Sequence, residues 1–125
     1  MIRVFKVRGF AKFCAKEGIA DAALVEAVAR AEAGLIDADL GGGVIKQRVA
    51  RTGQGKSGGF RTIIFYRTED RAIFAYGFAK KDRENLNIVE QGEFKRSARI
   101  VLAYSDADIG ESIRLRGWME VGSDE

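Results

Sequence analysis

Phe60–Arg67 reads FRTIIFYR, and six of its eight residues are aromatic or β-branched. Such a run fits the pleated, half-buried surface of a sheet and little else. Two further strand-like runs flank it. Val44–Ala50 alternates, with Val44, Lys46 and Arg48 on one face and Ile45, Gln47 and Val49 on the other. Ala72–Ala79 (AIFAYGFA) predicts a third strand, with Phe74, Tyr76, Phe78 and Lys80 sharing one face. Thr68–Arg71 is a polar turn, and Arg51–Gly59 is expected to be a glycine-rich loop. Three consecutive strands with short connections predict an antiparallel meander.

The flanks are helical. Ile2–Val7 alternates as a strand, with Ile2, Val4 and Lys6 opposite Arg3, Phe5 and Val7. Phe10, Phe13 and Cys14 then mark one face of a short helix stopped by Gly18. Asp21 is the expected N-cap of a second helix to about Leu35, striped by Leu24, Val28, Ala31 and Leu35. The two helices predict an antiparallel hairpin. Ile36–Leu40 reads as frayed helix or loop, and Gly41–Gly43 as a firm break. Asp82 is expected to cap a long helix from Arg83 to about Tyr104, weakened at Gly92. Ser105 should cap a short helix through Leu115, ended by Gly117, before a closing strand at Trp118–Val121. The expectation is a single α+β domain over residues 1–125: a small antiparallel (mixed) sheet meander with an N-terminal helical hairpin and C-terminal helices. A chain of 125 residues can bury an adequate core without metals or disulfides.

Composition removes several chemistries. Histidine is absent, which excludes histidine triads, histidine metal sites and the commonest general acid or base. The single cysteine, Cys14, has no internal partner and lies on the helix's apolar face, as a small buried hydrophobe would. Asp37 and Asp39, or Asp106 and Asp108, are conceivable metal ligands but read better as caps and loop residues, so no metal or cofactor is expected. No apolar run reaches the roughly 18–20 residues of a membrane span. The segment MIRVFKVRGF lacks the apolar core of a signal peptide, and a cytoplasmic location is expected.

Charge is segregated. Between Val44 and Lys81 stand nine Lys or Arg and two acids, so this part carries +7 and the remainder −4 within a net charge of +3. Gly41–Arg61 alone holds seven glycines, five cations (Lys46, Arg48, Arg51, Lys56, Arg61) and no acid. One basic face and a polyanionic or acidic partner follow from this, with a merely solubilised sheet surface as the plain alternative. Gly55-Lys56-Ser57 imitates a nucleotide-binding P-loop, but Ala50 stands where the motif needs glycine and a strand follows where it needs a helix. Lys46, Arg48 and Arg61 sit on rigid elements, with Lys80 and Lys81 just beyond the third strand. Arg51 and Lys56 sit on the expected loop and suit RNA binding. Tyr76 and Phe78 are either stacking surfaces for bases or core.

The segments LGGGVIKQRVARTGQGKSGGFRTIIFYR (40–67) and AIFAYGFAKKDREN (72–85) resemble the RelE/ParE superfamily of bacterial type II toxins, and within it the HigB-like branch. The resemblance covers nearly the whole chain and implies a RelE-like fold. It implies a toxin that cleaves messenger RNA, often on the ribosome, without a metal, and that a cognate antitoxin protein neutralises. A 2′-hydroxyl attacks the adjacent phosphate to leave a 2′,3′-cyclic phosphate and a 5′-hydroxyl. Family cations on the second strand match Lys46 and Arg48, the family arginine matches Arg61, and the later basic pair matches Lys80 and Lys81. Arginine forks stabilise phosphorane charge, so Arg61 with Arg48 takes that role. A lysine crowded by cations gives up its proton more readily, which makes Lys46 the expected base. Lys80 or Lys81 is expected beside the leaving oxygen or on a phosphate, with Lys81 placed in the catalytic set and Lys80 with the RNA-binding residues. The C-terminal Tyr or His of many relatives has no counterpart here, where the chain reads Arg83-Glu84-Asn85-Leu86. Members of the superfamily that inhibit DNA gyrase, or a basic RNA-binding module without turnover, are the alternatives.

Overall fold

The computed structural model describes residues 2–51 and 55–122, with the side chains of 51 and 55–58 outside the described set. The element order is β1 (Arg3–Lys6), α1 (Arg8–Glu17), α2 (Asp21–Glu32), β2 (Ala38–Gly41), β3 (Val44–Arg51), β4 (Gly55–Arg67), β5 (Arg71–Ala79), α3 (Ile88–Val101), α4 (Asp106–Leu115) and β6 (Met119–Val121). The six strands form one mixed sheet in the order β2-β3-β4-β5-β1-β6. The meander β2 to β5 is antiparallel, β1 runs parallel to β5, and β6 closes antiparallel on β1. The fold is α+β, as expected for a RelE-like chain.

Alternation divides the core between the two faces of the sheet. Val4, Ile45, Val49, Phe60, Ile64 and Phe74 meet Phe10, Cys14, Leu24 and Val28 of α1 and α2. Phe5, Val44, Ile63, Phe65 and Phe78 meet Ala98, Leu102, Ile109 and Trp118 on the other side. Phe10 stacks on Phe74 with centroids 5.1 Å apart. Burying each such ring contributes about 1.5–3 kcal/mol. Cys14 is buried in the first cluster. Burial pushes its thiol up to about 11, with Lys6 opposing, so it acts as a hydrophobe rather than a nucleophile.

Several boundaries differ from expectation, each for a local reason. Asp21 is the first residue of α2 rather than its N-cap, which is Ala20. Its carboxylate instead accepts from Lys6 Nζ at 2.9 Å, satisfying an ammonium that is otherwise buried. Helix α2 stops at Glu32, short of Leu35. Ile36–Leu40 is not frayed helix, because Ala38–Gly41 pairs with β3 as the edge strand β2. The loop expected at Arg51–Gly59 is mostly strand: β3 runs to Arg51, β4 starts at Gly55, and only 52–54 of the stretch lie outside the described residues. Gly59 makes that continuation possible, since a Cβ there would sit 2.2 Å from the carbonyl oxygen of Val49. The long helix does not begin at Arg83. Asn87 caps α3, and its side chain and that of Glu90 form a reciprocal capping box. Gly92 lies within α3 without splitting it. Ser105 caps α4 as expected, with Asp108 completing the box.

The most consequential difference is in β5. Its register with β4 shifts between Ile63↔Tyr76 and Ile64↔Phe74, leaving Ala75 as a bulge. One extra residue reverses the alternation beyond it. Phe74 therefore packs under the helical hairpin, whereas Tyr76 and Phe78 lie on the opposite face. The expected common face of Phe74, Tyr76 and Phe78 is corrected accordingly, and Lys80 lies past the strand in a turn.

Candidate nucleic-acid interface

The register places the expected residues in two adjacent rows. Arg48 pairs with Arg61, and Arg61 with Phe78, which puts the three across β3, β4 and β5. Two residues along, Lys46 pairs with Ile63, and Ile63 with Tyr76. All six side chains fall on the α3 face, because their strand neighbours Ile45, Val49, Phe60 and Ile64 line the other. Two cations and an aromatic thus stand in one row, with a cation and a tyrosine beside them. No acidic residue occurs in either row.

Each cation is held differently. Lys46 Nζ donates to Asn85 Oδ1 at 2.6 Å. The partner is a neutral amide, so the lysine is oriented while its charge stays unpaired. Arg48 has a carboxylate nearby, with Nε 3.8 Å from Asp37 Oδ2, and its backbone N–H donates to the same oxygen at 2.7 Å. Asp37 also faces Arg30 at 3.7 Å. The Arg61 Nη1 atom is buried and, among the described residues, has no hydrogen-bond partner. A buried unpaired donor costs about 1–3 kcal/mol.

Lys80 and Lys81 are exposed in the turn after β5, one and two residues beyond Ala79, which pairs with Phe60. They sit at the same end of the sheet as the Arg48–Arg61–Phe78 row. Arg51 and Lys56 belong to the β3 and β4 backbones, and their side chains lie outside the described residues. Phe78 is buried and Tyr76 half-buried; the two rings pack together, and Tyr76 also packs on Phe94. Packing is thus their main occupation, with Tyr76 partly exposed.

Sequence reasoning missed four participants. Asn85 orients Lys46. Asp37 brackets Arg48. The Arg83 guanidinium lies over the Phe78 ring at 5.5 Å and pairs with Glu90 at 2.5 Å. Hydrogen bonds to Glu90 and then Tyr76 hold Arg83 further above the ordinary arginine range, and Arg83 in turn holds Glu90 below its ordinary 4.5. Gln47 is fully buried: its carbonyl accepts from Asp37 N at 2.7 Å, and its amide donates to Ala27 O and Leu35 O. It ties the end of α2 to the strand that carries Lys46 and Arg48. Two of the acids weighed as metal ligands make local hydrogen bonds: Asp39 accepts from Gly41 N, and Asp108 accepts from Ser105 N in the capping box of α4.

The family profile described as "RelE toxin of RelE / RelB toxin-antitoxin system" matches residues 2–121. A search of curated proteins finds no significant match. With the profile spanning nearly all of a mixed sheet flanked by two helical pairs, the chain belongs to the RelE toxin family, within the RelE/ParE superfamily of type II toxins.

Proposed function

We propose that this toxin is a metal-free endoribonuclease of the HigB-like kind, acting on messenger RNA in association with the ribosome in the cytoplasm and restrained by a cognate antitoxin. The observation that carries the reading is the pairing of Arg48 with Arg61 across β3 and β4, with Lys46 one row away and no acid in either row. A phosphate set over these rows meets two guanidinium forks, with the Lys46 side chain one row away.

In the proposed reaction, Lys46 acts as the general base and takes the proton of the RNA 2′-hydroxyl. The oxygen attacks the adjacent phosphorus in line. Arg61 and Arg48 hold the equatorial oxygens as charge accumulates, which is where preorganised donors act most strongly. Lys81 stands at the leaving 5′-oxygen and gives it a proton as the P–O5′ bond breaks, with Lys80 on the neighbouring phosphate. The P–O5′ bond breaks to give a 2′,3′-cyclic phosphate and a 5′-hydroxyl. Tyr76 offers a base its exposed part, and Arg51 and Lys56 bind flanking phosphates. Asn85 supports the reading by aiming Lys46 without neutralising it.

The test is induction of wild type and of the Lys46→Ala/Arg61→Ala variant, scored for growth arrest and for cleavage of a defined message on purified ribosomes. Loss of one positioned acid–base group costs about 10²–10⁴-fold, so arrest and cleavage should both disappear. Wild-type arrest by the double variant would remove these residues from the site. Arrest by wild type with inhibited supercoiling and intact message would favour the gyrase-directed reading.

A further inference from the structure

A basic groove outside the two rows is not used by the proposed chemistry. It measures about 660 Å³ and is lined by Gly42, Lys95, Arg96, Arg99 and Ile100. Lys95, Arg96 and Arg99 are exposed on one side of α3, at the i, i+1, i+4 spacing that groups side chains on a helix. None takes part in the ion pairs found among the described residues. Glu90, the acid of the first turn of α3, is already engaged by Arg83.

The opposite wall is bare backbone. Gly41, Gly42 and Gly43 all have positive φ, at 88°, 64° and 83°. A Cβ on Gly42 would lie 3.4 Å from the Lys95 side chain, so the glycines let that lysine lie along the turn. The groove also adjoins the strand carrying Lys46 and Arg48. Phe94 of α3 packs on Tyr76 and Phe65, and Leu102, the C-cap of α3, lies against Gly43. Helix α3 therefore runs from the Tyr76 row toward the β2–β3 turn. Between Arg48 and Val44 the strand advances roughly 13 Å, at about 3.3 Å per residue. Arg48 and Lys46 on β3, then Lys95 and Arg99 on α3, follow the same side of the molecule.

We propose that this groove is a second RNA site, which holds the phosphate backbone of the substrate strand outside the cleavage centre. This rests on the nuclease reading and deepens it. Arginine forks match phosphate oxygens in pairs, and such contacts position a strand without reading its bases. Three exposed cations, none of them in an ion pair found among the described residues, make a polyanion the matching occupant, and an acidic protein segment is the alternative that the experiment separates.

The experiment uses full-length protein and a fluorescent 20-nucleotide single-stranded RNA with 2′-O-methyl groups, which binds but lacks the attacking hydroxyl. Affinity is measured against salt for wild type, for Lys95→Gln/Arg96→Gln/Arg99→Gln, and for Lys95→Arg/Arg96→Lys/Arg99→Lys, which keeps the charges. Each neutralised phosphate contributes about 0.7 to the log–log salt slope of a single strand. The glutamine variant should lose about 2 from the slope and bind at least tenfold more weakly, and the charge-keeping variant should follow wild type. Circular dichroism checks that α3 stays folded in both variants. A wild-type slope in the glutamine variant, with cleavage of message intact, overturns the groove alone. The same result together with lost neutralisation by the antitoxin assigns the groove to a protein partner and also overturns the proposal. Wild type that neither binds nor cleaves RNA overturns the nuclease reading and the groove together.

Discussion

The two faces of this sheet are made from alternate residues of the same strands, yet they are finished differently. Under α1 and α2 the face is closed, with Phe10, Phe60, Phe74 and Leu24 all essentially buried. Under α3 and α4 it is closed only in part. Around Trp118, Ile109 and Leu102 it is core, and toward the Arg48–Arg61 row it gives way to cations. A sheet can thus keep one face for stability and give part of the other to chemistry, provided alternation sorts the side chains. The bulge at Ala75 contributes by sending Phe74 to the closed face and Tyr76 and Phe78 to the open one.

This contrast can be broken at either face. The largest effect is expected from Phe74→Ala, which should cost about 3–5 kcal/mol in denaturant unfolding while RNA cleavage per folded molecule stays near wild type. Loss of activity beyond the unfolded fraction would show that the faces are coupled. Its counterpart is Arg61→Met, which keeps the stem and removes the unpaired donor. Stability should be unchanged or raised by about 1 kcal/mol, and under the proposed function cleavage should be lost, the trade of stability for activity expected of a site residue held at a cost.

Gln47→Leu tests the tie between the faces. It removes the side-chain acceptor of the Asp37 amide and the amide that reaches Ala27 O and Leu35 O, at a cost of about 1–3 kcal/mol. By loosening Asp37 it should also weaken cleavage through Arg48, read as a fall in kcat greater than the fall in folded fraction.

The smallest effect concerns acid. Arg83 and the capping box hold Glu90 below its ordinary 4.5. A depressed folded value means that its stabilisation is complete above the unfolded value and fades as pH falls through 4.5 toward the folded one. Glu90→Gln should flatten that part of the stability–pH curve, and an unchanged curve would remove the Arg83–Glu90 pair from the account.

Much of this was legible in advance because period-two alternation survives in β3, where Val44, Lys46 and Arg48 do share a face. The single-residue bulge was not, because Ala75 is an ordinary strand residue and nothing in AIFAYGFA marks an unpaired position. Strand β2 was hidden because it is four residues long and pairs on one side only. The Asn87-to-Glu90 capping box stands in the sequence as N-x-x-E, but Asp82, five residues earlier, is of an equally good capping type, and local sequence does not rank the two. The partners Asn85, Asp37 and Gln47 depend on approaches between distant segments, which no local pattern encodes. The basic rows were legible as a charge imbalance, and their geometry needed the register.

The position of β1 carries a consequence for how the molecule is made. Val4 pairs with Val121, and Arg3 joins Glu120 through two hydrogen bonds of 3.0 Å, across 117 residues of chain. During synthesis, β1 can pair with β5 once the meander has emerged, but its other edge stays open until β6 is released. Loop-closure cost grows only slowly with length, so the delay is one of availability rather than of energy. The cationic rows on β3 to β5 can assemble before the far edge of the sheet is sealed. A nascent toxin can therefore present its basic face while an unpaired strand is still free to recruit another chain.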